Sequence, residues 1–124
     1  MVRAILAAVA AYLGIGALVV FTDQILSLLT HSAASPPTGY FVTSVVTDSF
    51  HSLLGGYICA AIGKQSARLA TRILLVGGEL IGIGAVIAYW RSMPHWFALA
   101  LLVVFPVCVA SGSQLHRQRE AAAI

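Results

Sequence analysis

The chain has 124 residues, 60% of them hydrophobic and only 9% charged, with a formal charge of +3 and a mean hydropathy of +0.95. Soluble domains carry about a quarter charged residues, so this composition excludes an ordinary soluble enzyme and points to one membrane domain, 1–124. The lysines and arginines flank apolar runs, where positive charge reports topology and lipid headgroups; the expected partner is therefore the lipid bilayer, and no nucleic acid is expected.

The first apolar run, 4–29, would be about 39 Å long as a helix, more than the ~30 Å hydrocarbon core. Val2-Arg3 before it and Ser32-Ala33-Ala34 after it imitate a secretory signal. The run exceeds the roughly 7–15 residues of a signal core, however, and reads as a first span. Ala7 with Ala11, and Ala10 with Gly14, keep the spacing that lets a second backbone come close. Tyr12, Gly16, Asp23, Ser27 and His31 share a helical stripe that is expected to face inward.

A polar connection from Thr30 to Tyr40, with Pro36-Pro37, leaves the apolar phase. The second span, 41–62, carries the most informative pattern. Ser44, Asp48, His51, Ser52, Gly55, Cys59 and Gly63 recur every three or four residues, forming one polar and small stripe on a helix. Lipid cannot satisfy such a stripe, so it must face protein or water.

A short basic turn with Lys64, Arg68 and Arg72 leads to the third span, 70–90, which holds Glu79 and the GxxxG pair Gly78 and Gly82. With Gly55 and Gly56, these two glycines form the expected helix-packing interface. The fourth span, 96–112, contains Pro106, which is expected to bend it, and a small basic tail follows. Gly14-Ile15-Gly16-Ala17 recurs as Gly82-Ile83-Gly84-Ala85, in two spans of the same direction. Internal duplication and chance both remain open.

With the N-terminus in the cytoplasm, Arg3, Lys64, Arg68, Arg72, Arg117 and Arg119 fall inside, and Arg91 alone falls outside. The positive-inside rule then places both termini in the cytoplasm. Tyr40, Phe41, Tyr89, Trp90, Trp96 and Phe97 gather near the outer interface. The expected fold is all-α: a polytopic membrane protein of four transmembrane helices in an antiparallel bundle.

Counting ~1.5 Å per residue from the outer boundary puts His51 and Glu79 roughly 15 Å deep, with Asp48 and Asp23 at about 10 Å. Ionisable groups at such depth are costly when unpaired and are functional candidates by default. Asp23, Asp48, His51 and Glu79 are thus candidates for a proton or ion site. They read more readily still as polar contacts that fix helix register. Asp48-x-x-His51, with Glu79 and Asp23 as further oxygen donors, is a weak metal pattern beside the two Glu-x-x-His pairs of di-iron bundles. His31 and His95 fall at the rim, so a bis-histidine haem is poorly supported, and no cofactor or resident metal is expected. Cys59 and Cys108 form neither a CxxC motif nor a disulfide framework.

Gly55-Gly56-Tyr57-Ile58-Cys59-Ala60-Ala61-Ile62, Trp90 with Met93-Pro94-His95-Trp96-Phe97, and Phe105-Pro106 with Gly112 together resemble a set of small bacterial integral membrane proteins without established function. The likeness implies a four-span fold in the bacterial inner membrane, and carries no activity and no site residues. No catalytic set is visible, so the leading expectation is a non-enzymatic helix-packing accessory or self-associating module, as a homo-oligomer or within a larger membrane complex. A minimal proton- or cation-coupled transporter or channel using Asp48, His51 and Glu79 is the alternative. A metal-binding membrane enzyme is a third.

Overall fold

A computed structural model of the chain describes residues 1–29 and 38–124. Four α-helical segments make up nearly all of it: α1 (Val2–Leu29), α2 (Thr38–Gly63), α3 (Ala67–Tyr89) and α4 (His95–Ala122). Apolar runs this long become helices because a helix is the one way a single segment satisfies its own backbone without water.

Between α2 and α3 lies only one 3-10 turn, Lys64–Ser66. Lys64 has φ 48°, and among the described residues no other non-glycine residue has a positive φ. That left-handed residue reverses the chain while helical backbone continues on both sides, and α3 folds back until a Cβ on Gly63 would sit 3.2 Å from that of Ala70. Three continuous helical stretches are therefore long and apolar enough to cross a membrane: Val2–Leu29, Thr38–Tyr89 and His95–Ala122. The short basic turn expected between 41–62 and 70–90 is this 3-10 turn at Lys64–Ser66, with helix running up to it on both sides.

The last helix, α4, runs through Pro106 without interruption and past Gly112, the expected limit of the fourth span, on to Ala122, so the basic tail is helical as well. Gln114, Leu115, Arg117, Gln118, Arg119 and Glu120 are good helix formers. His116 ties this extension down, its ring standing edge-on to Tyr57 at 4.9 Å and its Nε2 lying 3.4 Å from Glu120 Oε1.

Neighbouring helices alternate in direction along the chain. Arg3 Nε at the start of α1 donates to the Ile62 carbonyl at the end of α2, 2.9 Å away, and so satisfies one of the last-turn carbonyls of that helix. α4 runs parallel to α2, with Phe41 against Phe97 at one end and Tyr57 against His116 at the other. α3 and α4 are antiparallel, joined by the buried Thr71 and Ser113 hydroxyls at 2.8 Å. Thr71 gives its proton to the Ala67 carbonyl, so Ser113 is the donor between the two.

Small residues dominate the core: Ala4, Ala7, Ala8 and Ala11 with Ile15 on α1, Cys59 on α2, Ala70 and Leu74 on α3, and Val109 on α4. Ala7 and Ala11 are buried, whereas Ala10 and Gly14 are exposed. All these core residues lie toward the Lys64 end. Beyond Ile15 on α1 and beyond Gly78 on α3, neither helix has a buried residue. The exterior carries Phe21, Phe50, Leu80, Ile87 and Val103, each more than half exposed, a surface suited to acyl chains rather than water.

Candidate functional site: an acid-lined cavity

At the end away from Lys64, aromatic rings close the helix tips. Phe41 lies 4.9 Å from Phe97 and 6.4 Å from Trp96, while Trp90 stacks on His95 at 4.0 Å. Between these rings and the alanine core the helices enclose a cavity of about 300 Å³. Each helix contributes to it: Tyr12 and Gly16 from α1, Asp48 and Ser52 from α2, Glu79 from α3, and Phe105 from α4.

The α2 stripe faces inward. Ser44, Ser52, Gly55, Cys59 and Gly63 are buried, and the side chains of Asp48 and His51 are only 15% and 11% exposed. One helical turn sets Asp48 and His51 side by side, with Oδ1 and Nδ1 4.0 Å apart. That separation suits an ion pair when the imidazole is protonated, and is too long for a hydrogen bond. The other imidazole nitrogen, Nε2, meets the Thr22 hydroxyl of α1 at 3.4 Å. Asp23, the next residue, is half-buried and within electrostatic range of both His51 and Asp48.

Two groups thus share the four candidates. Asp23, Asp48 and His51 come together where α1 meets α2, and Glu79 lies across the cavity on α3. Asp48 belongs to both, because it also lines the cavity. Buried Asp48 Oδ1 and Glu79 Oε1 each lack a hydrogen-bond partner, as does the Ser44 hydroxyl. Of the α1 stripe, Tyr12 and Gly16 line the cavity, Ser27 is exposed, and His31 lies outside the described residues. Among the described residues no three of His, Cys, Asp and Glu approach closely enough to hold a metal ion. Both thiols, buried Cys59 and half-buried Cys108, are free.

The four interface glycines all face helices of the same chain. A Cβ on Gly55 would overlap the Ile15 side chain, one on Gly56 the Val109 carbonyl, and one on Gly78 the Phe105 ring; on Gly82 it would sit 3.3 Å from Leu102 Cδ2. Sequence reasoning missed the reciprocal contact at Gly112, where a Cβ would overlap the Leu53 carbonyl. Its signal was the spacing of Cys108 and Gly112, a small-xxx-small pair on α4. The Thr71 and Ser113 pair carried no comparable signal. By contrast Gly14, Gly16, Gly77 and Gly84 have open space where a side chain would go.

Fold and site together define a helical protein with three membrane-competent stretches and a cavity lined by two carboxylates, each with one buried oxygen that has no hydrogen-bond partner. No family model, no curated protein and no solved structure matches the chain, so its function has to be argued from this geometry.

Proposed function

We propose that the chain crosses the bacterial inner membrane four times, with both termini in the cytoplasm, and that its cavity is the proton or cation site of a minimal carrier or channel. Four crossings follow if the Thr38–Tyr89 stretch enters as a hairpin, since about 78 Å of straight helix would overshoot a ~30 Å core. Arg3, held at the Ile62 carbonyl, lies at the same end as Lys64, Arg68, Arg117 and Arg119, with Arg72 one turn further in. Arg91 stands at the other end, and this asymmetry favours a cytoplasmic Lys64 turn.

A single observation carries the site: Asp48 and Glu79, from different helices, line one cavity, and each has a buried oxygen without a hydrogen-bond partner. Polar groups that merely hold helices together are expected to be paired, as Thr71 and Ser113 are. A carboxylate in apolar surroundings without such a partner is costly and gains most from a proton or a cation. His51, beside Asp48, and Asp23, beside Thr22, supply the neighbouring titratable groups of a relay.

Proteoliposomes containing the full chain test this directly. A flux of protons driven by an imposed potential is expected, and Glu79→Gln and Asp48→Asn should each lower it by about tenfold or more, equivalent to ~1.4 kcal/mol. Flux indifferent to both substitutions would remove the proposal.

Self-association is a second reading, favoured by the open space over Gly14 and Gly16 on α1 and over Gly84 on α3. These positions offer a second copy, or a subunit of a larger membrane complex, the small-residue face that membrane helices use. Gly14→Leu should then abolish a dimer captured by crosslinking in membranes; a dimer that persists would count against it.

A further inference from the structure

The cavity has a side entrance. Three of its lining residues, Gly16 on α1 and Ile81 and Ala85 on α3, are also exposed on the outer surface, Ile81 by 54%. Its other walls are shielded: Ser52 on α2 is 4% exposed, and Leu101, Leu102 and Phe105 on α4 are half-buried. The missing wall therefore lies between α1 and α3. Toward the Lys64 end the gap is closed, because Ala4, Ala7, Ala8 and Ala11 pack in one core with Ala70 and Leu74. Past Ile15 and Gly78 the two helices no longer bury each other.

An opening halfway along two apolar helices faces acyl chains in a bilayer, not water. A hydrated inorganic ion would have to shed its shell in hydrocarbon to enter there, whereas an amine can cross the acyl region as its neutral base and take its proton from a cavity carboxylic acid, leaving an ammonium beside a carboxylate. Ile15, Val19, Val86 and Leu102 give most of the wall an apolar character, against which Asp48 and Glu79 place two acidic groups. Tyr12 and Phe105 add aromatic rings, whose faces attract organic cations. The volume of about 300 Å³ is at the small end for ligand pockets, enough for one ring or a short alkyl group.

We infer that the cavity binds a small lipophilic organic ammonium, one apolar group bearing one cationic nitrogen, which enters sideways from the bilayer between α1 and α3 as its neutral base. This rests on the cation-site proposal and adds to it the class of ligand and the route. The ammonium head lies against Asp48 and Glu79, and the apolar part fills the space between Tyr12 and Phe105.

The probe is 2-phenylethylammonium, with neutral 2-phenylethanol as its counterpart, added to the full chain in lipid nanodiscs and compared with empty nanodiscs. Saturable binding of about one ammonium per chain is expected, with only linear partition for the alcohol. Asp48→Asn and Glu79→Gln, each checked for a cooperative melt, should weaken binding at least tenfold. Gly16→Leu and Ile81→Trp, at positions open to the exterior, should slow association several-fold by narrowing the mouth.

Linear uptake of the ammonium, or binding unaffected by both acid substitutions, overturns the ligand class. Association rates unchanged by both mouth substitutions overturn the route. If proteoliposome flux depends on the two carboxylates while the ammonium shows no saturable binding, this inference falls and the cation-site proposal stands. If neither flux nor binding depends on them, both fall.

Discussion

The half of the molecule near Lys64 and the half that holds the cavity solve the same packing problem in opposite ways. Near Lys64 the contact surfaces are Ala4, Ala7, Ala11, Gly56, Ala60, Ala70 and Gly112, residues so small that backbones touch. In the other half, Ile81, Val86, Leu101, Leu102 and Phe105 line the cavity, and Phe97 is buried against Phe41 at the helix tips. The polar groups divide less cleanly, since the His116 ring nitrogens and Arg117 Nε also lack hydrogen-bond partners at the Lys64 end. Thr71 and Ser113 are paired in the closed half, whereas Asp48 and Glu79 have unpartnered oxygens in the open one. Close packing at one end is what allows a void at the other, since four helices held firmly over half their length need not touch over the rest.

The largest expected effect follows from adding one methyl group in each half. At Gly56 the new Cβ overlaps the Val109 carbonyl oxygen, and the neighbouring contact at Gly112 involves the Leu53 carbonyl. Backbone cannot rotate out of the way as a side chain can, so Gly56→Ala forces α2 and α4 apart at a cost of about 3 kcal/mol or more. Gly16→Ala meets open space and gains up to about 1 kcal/mol of helix propensity. Thermal melts in detergent should show a large loss for the first variant and none for the second. Equal behaviour would erase the contrast between closed and open halves.

Much of this division is legible in the sequence, and its limits are physical. The α2 stripe from Ser44 to Gly63 identifies the inward face because small and polar residues recur at helical period, and a bilayer leaves them no other place. Spacing fixes a residue's height and face on its own helix, but not the direction in which neighbouring helices lie. Counting depth therefore put Glu79 level with His51, yet did not separate Glu79 on α3 from the Asp23, Asp48 and His51 group. A GxxxG pair signals close approach without naming the partner, and for Gly78 and Gly82 that partner is α4 of the same chain. The short basic turn at Lys64 is legible too, but not the conformation that makes it: its reversal depends on a single lysine with a positive φ, which lysine disfavours.

Lys64 provides the next test, because it is the strained point of the closed half. A φ of 48° places its Cβ in the left-handed region, which costs a non-glycine residue roughly 1–2 kcal/mol. Lys64→Gly removes that cost and restores some unfolded-state freedom, for a net gain of about 1 kcal/mol in a reversible melt. A loss of stability would mean that the lysine side chain contributes more at this turn than its backbone costs.

An effect of similar size separates the halves most sharply. Thr71→Val keeps the shape of the side chain but leaves the Ser113 hydroxyl, which is fully buried, without its acceptor. Polar contacts between membrane helices average about 0.6 kcal/mol and reach about 1.7, so a loss in that range is expected. Adding Ser113→Ala should recover part of it, because removing both polar atoms costs less than stranding one. Glu79→Gln reverses the pattern: its buried carboxylate oxygen has no hydrogen bond to lose, so the melt should hold while flux falls. A stability loss in Glu79→Gln as large as that in Thr71→Val would show that the carboxylate is held by a partner after all, and the cavity acids would then belong with the structural hydroxyls rather than with a site.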